Sequence, residues 1–346
     1  MTLPSLSNPN RIELGCATLG GMHIGTEPTL DRMLSQVESA LELGIRRFDV
    51  APLYGNLTAE VLLGQALDAL KVDRETVSIN TKVGRAIVPK LKKQATQEAD
   101  IWTLGSPYNL GIDAWDLTYT GILASHYGSM TRLRTERMDI ALHDPADAII
   151  GTPGLDYSGF EHTVRAMRDL REEGFAKGIG IGGKTCDEMF QMLTLYPNVF
   201  DFIILTTYNL MEHVQLLDEL TPLCKAQGIE LRIAGVYAGG ILAGADPREP
   251  RPNGAPIVCN YHLATEAEID RAGRLFDLAA EFGLDTLRRA AARFVTLNPD
   301  VDRIILGANT REQFEETVGY LEEPIDPALW DALKQNELIA KNAPTD

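Results

Sequence analysis

Residues 47–55 read RFDVAPLYG. Ile45 to Val50 has the apolar, β-branched character of a buried strand, and Asp49 interrupts it. A carboxylate inside such a strand is costly unless it is paired. One reading makes Asp49 a turn or capping residue. The other puts it at the strand's C-terminal end as a working group. Pro52 stops the strand, and Tyr54 follows on the loop just beyond it.

The same interruption recurs twice. Lys82 sits near the end of VSINTKV (77–83), and His143 ends the apolar part of MDIALHDP (138–145). The surroundings alternate between short apolar runs and amphipathic ones. Strands are expected in RIELGCATLG, 45–50, 77–83, MDIALHDP, FAKGIGIGG, DFIILTTY, IELRIAGVYAGG and DRIILGAN, with helices between them. The helices include 116–135, 157–173, 264–282 and 285–297, the run MEHVQLLDELTPLCKAQG, and REQFEETVGYLE after the last strand. Eight such repeats without a linker predict a single α/β domain over residues 1–346, a (β/α)8 TIM barrel. An open doubly wound sheet would carry a phosphate loop after its first strand, whereas GGMHIGTEPT has no such spacing. The longest irregular stretches, about 84–115 and 236–263, follow strands and so belong to the barrel's catalytic face.

Bulk properties narrow the partners. The chain has 346 residues, 49 acidic against 32 basic, and a formal net charge of −17. That balance argues against nucleic acid and against an anionic membrane surface. The four cysteines show no metal-ligand spacing, and no metal site is expected. MTLPSLSNPN lacks a basic region followed by an apolar one, so the expectation is a cytoplasmic protein, monomeric or homo-oligomeric.

In a barrel, Asp49, Tyr54, Lys82 and His143 come from the ends of adjacent strands. A tyrosine normally titrates near 10. An ammonium beside it favours the phenolate, and a carboxylate can hold that ammonium. A histidine can orient an oxygen bound next to the phenol. The set suits a proton-transfer step at a carbonyl or alcohol, with a cofactor handling the hydride.

FDVAPLYG, NTKVGR and LHDP together resemble the signature, lysine and histidine motifs of the aldo-keto reductase superfamily, in order and in spacing. ILGANTREQFEETVG is similar to that family's last strand, cofactor loop and following helix. The resemblance implies a barrel binding NAD(P). Tyr54 would be general acid or base, Lys82 and Asp49 would tune it, and His143 would orient the substrate. TKVGR, HDP, VYAGGILAG and the loop around Cys259-Asn260-Tyr261 resemble the aldose 1-dehydrogenase branch in particular.

The resemblance also assigns cofactor positions. Gly182 and Gly183 stand where many relatives carry Ser-Asn against the nicotinamide amide, and the usual strand-six glutamine is absent, which points to Asn209 or backbone groups. GIGIGG (178–183) is therefore read as a barrel strand beneath a cofactor and not as a dinucleotide loop. Tyr237 is the candidate for stacking on nicotinamide, with Tyr208 its rival. Gly307, Ala308, Asn309 and Thr310 precede a helix N-terminus suited to phosphate. Arg311 is available for a 2′-phosphate, but Gln313 occupies the position where NADP-preferring relatives often have arginine, and Glu312, Glu315 and Glu316 crowd the helix start. NAD is expected, with NADP the alternative. His23, Trp102 and Tyr261 are the candidates for substrate contact, Trp102 being equally an anchor for its own loop.

The reaction implied is oxidation of the anomeric hydroxyl of a small neutral aldose to an aldonolactone. The alternatives are NADPH-dependent reduction of an aldehyde or ketone, oxidation of a pyridoxal-like alcohol, and a non-enzymatic NAD(P)-binding regulatory subunit.

Overall fold

The computed structural model describes residues 7–21, 27–89, 111–244, 246–249, 251 and 254–345. Among them the strands are β1 (Ile12–Gly15), β2 (Arg47–Asp49), β3 (Ser78–Val83), β4 (Arg85–Pro89), β5 (Gly111–Trp115), β6 (Met138–His143), β7 (Ala176–Gly183), β8 (Phe202–Leu205), β9 (Glu230–Ile233), β10 (Val258–Cys259), β11 (His262–Leu263) and β12 (Arg303–Leu306). Eight of them close into a parallel barrel in the order β1-β12-β9-β8-β7-β6-β3-β2. The expected (β/α)8 architecture is present.

The helices are α1 (Leu30–Glu42), α2 (Thr58–Ala69), α3 (Tyr119–Leu133), α4 (Pro145–Gly151), α5 (Glu161–Glu172), α6 (Cys186–Leu195), α7 (Thr221–Gln227), α8 (Glu266–Glu281), α9 (Leu287–Leu297), α10 (Arg311–Tyr320) and α11 (Pro327–Gln335). Threonine hydroxyls cap α1, α3, α6, α8, α9 and α10. Thr29 accepts from the Arg32 amide before α1, and Thr185 with Glu188, like Thr265 with Glu268, forms a reciprocal capping box.

Three local differences from expectation have physical causes. The stretch 84–115 is not wholly irregular: its ends pair as the antiparallel hairpin β4–β5, where alternating Arg85-Ala86-Ile87-Val88 meets Ile112-Asp113-Ala114-Trp115. A short helix, α4, follows His143, started by Pro145 at a position where no amide hydrogen is needed. The helix expected over 211–228 is split by a π-helical turn, Leu216–Leu220, in which the Thr221 amide reaches back to the Leu216 carbonyl. Pro222 explains this, because it has no N–H for the next carbonyl and the ladder widens ahead of it.

Strand alternation divides the side chains cleanly. Ile203 and Leu205 of β8 face the helices and join the main core, while Phe202 and Ile204 join Ala141 and Ile305 in a separate cluster on the inner face. That inner cluster is the middle of three layers. Below it, at the strands' N-terminal ends, lie Glu13, Asp139, Glu230, Arg232 and Arg303. Arg232 is 3% exposed and sits with its guanidinium 3.7 Å from the Phe202 ring centroid. It donates to Asp139 at 3.1 Å and to Glu230 at 3.3 Å, and lies 3.7 Å from Glu13. Above the apolar layer, at the C-terminal ends, lies the site.

Candidate active site

Asp49 ends β2 and pairs in register with Asn80 of β3. Asn80 and Lys82 share the inner face, two residues apart. The Asn80 amide donates to Asp49 Oδ2 at 2.6 Å. Lys82 Nζ donates to Asp49 Oδ1 at 2.9 Å and Oδ2 at 2.8 Å, and to the Val50 carbonyl at 3.0 Å. An ammonium has three donors, so Lys82 has none left for Tyr54. It acts on the phenol through space, with Nζ 4.9 Å from the ring centroid.

The turn carrying Tyr54 explains the glycine after it. Gly55 has φ 62 and lies so close to Gly20 that a Cβ there would fall 1.8 Å from the Gly20 carbonyl oxygen. Tyr54 is thereby fixed over the barrel, and its hydroxyl donates to Asp49 Oδ1 at 3.5 Å. Burial, and then the Asp49 carboxylate, hold its pKa well above the ordinary 10. The resting group is therefore a phenol. The expectation that Lys82 would favour the phenolate meets a carboxylate that stands between them and favours the proton.

His143 ends β6, edge-on to Tyr54 with ring centroids 6.4 Å apart. Burial, and then Arg85, Lys82 and Lys184, hold it well below the ordinary 6.5, so the imidazole is neutral. Its Nε2 is 3.5 Å from Asp144 Oδ2, and its buried Nδ1 has no hydrogen-bond partner among the described residues. Asp144 adopts the left-handed region at φ 43 and turns its carboxylate toward Arg85 at 3.4 Å and Lys184 at 3.7 Å. Lys184 is bound more closely by Asp147, at 2.6 Å. Asn80, Arg85, Asp144 and Asp147 were not among the residues expected at the site. Their signal lay in the motifs themselves, since Asn80 is two residues from Lys82 and Asp144 follows His143 directly.

The other expected residues divide. Gly182 and Gly183 end β7 beside the site. A Cβ at Gly182 would lie 3.6 Å from Lys82 Cε, and one at Gly183 would come 2.6 Å from the Glu188 carboxyl group. Tyr261 reaches the mouth, with Lys184 Nζ 5.6 Å from its ring centroid. Gly307, Ala308, Asn309 and Thr310 form the loop between β12 and α10. There Thr310 caps the Gln313 amide, and Gln313 Oε1 accepts from the Asn309 amide at 3.1 Å. His23 and Trp102 lie outside the described residues.

Three of the expected residues have their polar groups engaged within the protein. Asn209 is fully buried and its amide is spent: it donates to the Gly235 carbonyl at 3.2 Å and Asn260 Oδ1 at 3.1 Å, and accepts from the Met211 and Glu212 amides. It ties the loops after β8 and β9 together. Tyr237 turns its hydroxyl to Thr317 on α10 at 3.0 Å. Its rival Tyr208 is fully buried, stacked on Phe294. Arg311 is held by carboxylates, Glu315 at 2.7 Å, Glu38 at 3.3 Å and Glu42, so it faces α1 and not the loop. Gln313 is likewise engaged with its own cap.

Two glycines leave the inner floor without side chains. Gly182 leaves the space over the Lys82 stem open, and Gly307 has only ordinary contacts around its missing Cβ, at 3.7 Å and beyond. Among the described residues no group of three or more His, Cys, Asp and Glu could hold a metal ion, and no helix is long and apolar enough to cross a membrane.

Comparison with known proteins places the chain in a family. Over 340 residues the chain is 29% identical to a pyridoxal 4-dehydrogenase from Microbacterium luteolum, covering 94% of each. It is 28% identical over 311 residues to a D-threo-aldose 1-dehydrogenase from a Pseudomonas species, covering 89% of each. The solved structure of a glycerol dehydrogenase from Gluconobacter oxydans superposes with a TM-score of 0.70 at 19% identity, over 99% of this chain and 96% of that one, a likeness of fold. The aldo/keto reductase family pattern matches residues 11–337, and the chain belongs to that family, whose members are typically NAD(P)-dependent oxidoreductases.

Proposed function

We propose that the chain is an aldose 1-dehydrogenase that oxidises the anomeric hydroxyl of a free aldose, in its cyclic form, to the aldonolactone, with NAD. The observation that carries the reading is the convergence of Tyr54, Lys82, Asp49 and neutral His143 at one end of the barrel. Bound NAD would accept the hydride leaving C1. Tyr54, once it has lost its own proton to solvent, takes the hydroxyl proton as general base and is restored to the phenol that Asp49 holds in place, with Lys82 fixing Asp49. Neutral His143 directs the hydroxyl oxygen toward Tyr54. The carbon loses a hydride and the oxygen a proton, which leaves the lactone carbonyl. Relatives named for oxidising pyridoxal and D-threo-aldose support the class. Gly182, Gly183 and the Gly307–Thr310 loop are the positions we assign to the cofactor.

The choice of NAD rests on Arg311. Its three carboxylate neighbours leave it unable to answer a 2′-phosphate, and Glu312 at the exposed helix start would repel one. A second reading, reduction of an aldehyde or ketone, is favoured by the protonated state of Tyr54, which suits a general acid.

A panel of six-carbon and 6-deoxy aldoses decides the matter. NAD is expected to be reduced, with lactone as the first product, and methyl glycosides of the same sugars are expected to be inert. Oxidation of glycosides would place the hydride on another carbon. Reduction of simple aldehydes with no sugar oxidised would establish the second reading, and no turnover with any substrate would favour a binding subunit.

A further inference from the structure

We propose that Asn80 is a positioning residue for the proton-transfer step: its amide, donating to one oxygen of Asp49, holds that carboxylate back from the Tyr54 hydroxyl. This rests on Tyr54 as the proton-transfer group in the reading above and deepens it.

The first observation is placement. Asn80 pairs in register with Asp49 on β2 and with Asp139 on β6. Register partners in a parallel sheet point to the same face, so the side chain stands on the inner wall between two carboxylates. It is 2% exposed. Asp139 is occupied by Arg232, at 3.1 Å. The Asn80 amide nitrogen goes to Asp49, at 2.6 Å.

The second observation is what the side chain leaves unmade. Its Oδ1 is buried and has no hydrogen-bond partner among the described residues. A buried carbonyl without a partner is destabilising, and a leucine of similar shape would strand no polar atom at all. Packing alone therefore does not account for an asparagine here. Donation to Asp49 does.

The last observation is how the donors divide over Asp49. Its Oδ2 accepts from Asn80 at 2.6 Å and from Lys82 at 2.8 Å. Its Oδ1 accepts from Lys82 at 2.9 Å, and the Tyr54 hydroxyl stands off at 3.5 Å. A hydroxyl free to approach a carboxylate settles at about 2.5–2.7 Å. Two donors fill the lone pairs of Oδ2 and fix the plane of the carboxylate, and Oδ1 is kept from swinging toward the phenol. That distance matters because Asp49 favours the protonated phenol. A shorter contact would hold the proton more tightly. It would then be harder to lose before oxidation and harder to hand to a carbonyl oxygen in reduction.

Asn80→Leu removes the donor at nearly constant shape. With any substrate that the wild type turns over, in either direction, kcat is expected to fall about 10- to 100-fold, the size of one hydrogen bond to a charged group. KM and the dissociation constant for NADH are expected to change by less than about 2-fold. Tm is expected to stay within about 3 °C, because the stranded carbonyl goes together with the lost bond. In a Tyr54→Phe background the same substitution is expected to lower the residual rate by less than about 2-fold, since there is no phenol proton left for Asp49 to hold. Asn80→Ala adds no bulk, removes the same donor and carries the same kinetic expectations. Normal kcat in either folded variant would overturn the proposal. So would a full further loss in the Tyr54→Phe background, which would make Asn80 a support of the barrel and not of the proton step. Near-wild-type turnover by Tyr54→Phe alone would instead sink the assignment of the proton to Tyr54, and this proposal with it.

Discussion

On β6, Asp139, Ala141 and His143 occupy alternate positions and run up the inner wall of the barrel. At the bottom Asp139 belongs to an ionic layer centred on Arg232. At the top His143 belongs to a second one centred on Lys82 and Asp49. Both layers bury charges that water would otherwise solvate, and both are deeply inaccessible: Arg232 is 3% exposed and Lys82 is 4%. They differ in what lies over them. Arg232 is roofed by Phe202 of the apolar layer; its partner Glu230 lies on its own strand, while Glu13 of β1 and Asp139 of β6 meet it across the barrel interior. Lys82 is bordered by Gly182 and by the loop that carries Tyr54. A buried ion pair at the N-terminal end closes the barrel, while one at the C-terminal end stands under a site that can open to ligands. The chemistry of the pair alone does not separate the two roles.

Paired substitutions give the largest expected effects and test this division directly. Tyr54→Phe is expected to lower kcat roughly 10²- to 10⁴-fold while leaving the denaturation midpoint almost unchanged. Arg232→Met should do the reverse, since it strands Glu13 and Asp139 in the interior, at a cost of about 3–5 kcal/mol. Urea unfolding and steady-state kinetics on both variants provide the check. If Arg232→Met folds with normal stability yet loses turnover, the lower layer is not a structural plug.

The two halves of the proton machinery predict a pH profile. Tyr54 is held well above 10 and His143 well below 6.5, so neither changes charge between those values. Reduction uses the phenol's proton, and its rate should be flat across that window. Oxidation needs the phenolate, whose fraction grows with pH below the pKa, so kcat/KM should rise about tenfold per unit. A bell centred near neutrality would mean that a group other than these two carries the proton.

The barrel was legible because eight apolar runs alternate with amphipathic helices, a pattern that two-fold and 3.6-fold periodicity makes explicit. Asp49, Lys82 and His143 were legible because each breaks an apolar strand near its end. The lower layer carried the same signal, with Glu13 between Ile12 and Leu14 and Arg232 between Leu231 and Ile233, yet it was passed over because no motif marked it. The contacts of Asn209, Tyr237 and Arg311 were not legible for a different reason. They lie on loops or at a helix start, where no strand alternation fixes which way a side chain points. Asn209 is buried, the Tyr237 hydroxyl meets Thr317, and Arg311 turns along the surface to α1. Tyr261 was expected at the mouth from sequence, but its left-handed backbone, φ 76, follows from the β10–β11 hairpin, which is too short to be read as one.

The smallest expected effect sharpens the comparison at the cofactor end. From sequence Arg311 is the cation available to a 2′-phosphate at the start of α10, although Gln313 and the neighbouring glutamates point to NAD. Its guanidinium instead spans Glu38 and Glu42 of α1 and Glu315 of its own helix. To reach a phosphate it would have to leave these carboxylates, and their charge would then oppose the ligand. Surface pairs of this kind contribute about 0–1 kcal/mol each, so Arg311→Ala should cost little stability. It should also change the ratio of NAD to NADP dissociation constants by less than about 2-fold, since the side chain contributes to neither. Fluorescence or calorimetric titration of both nucleotides at one ionic strength measures that ratio. A variant whose NADP affinity falls tenfold while NAD affinity holds would show that Arg311 exchanges its carboxylates for phosphate on binding, and would reverse the cofactor assignment.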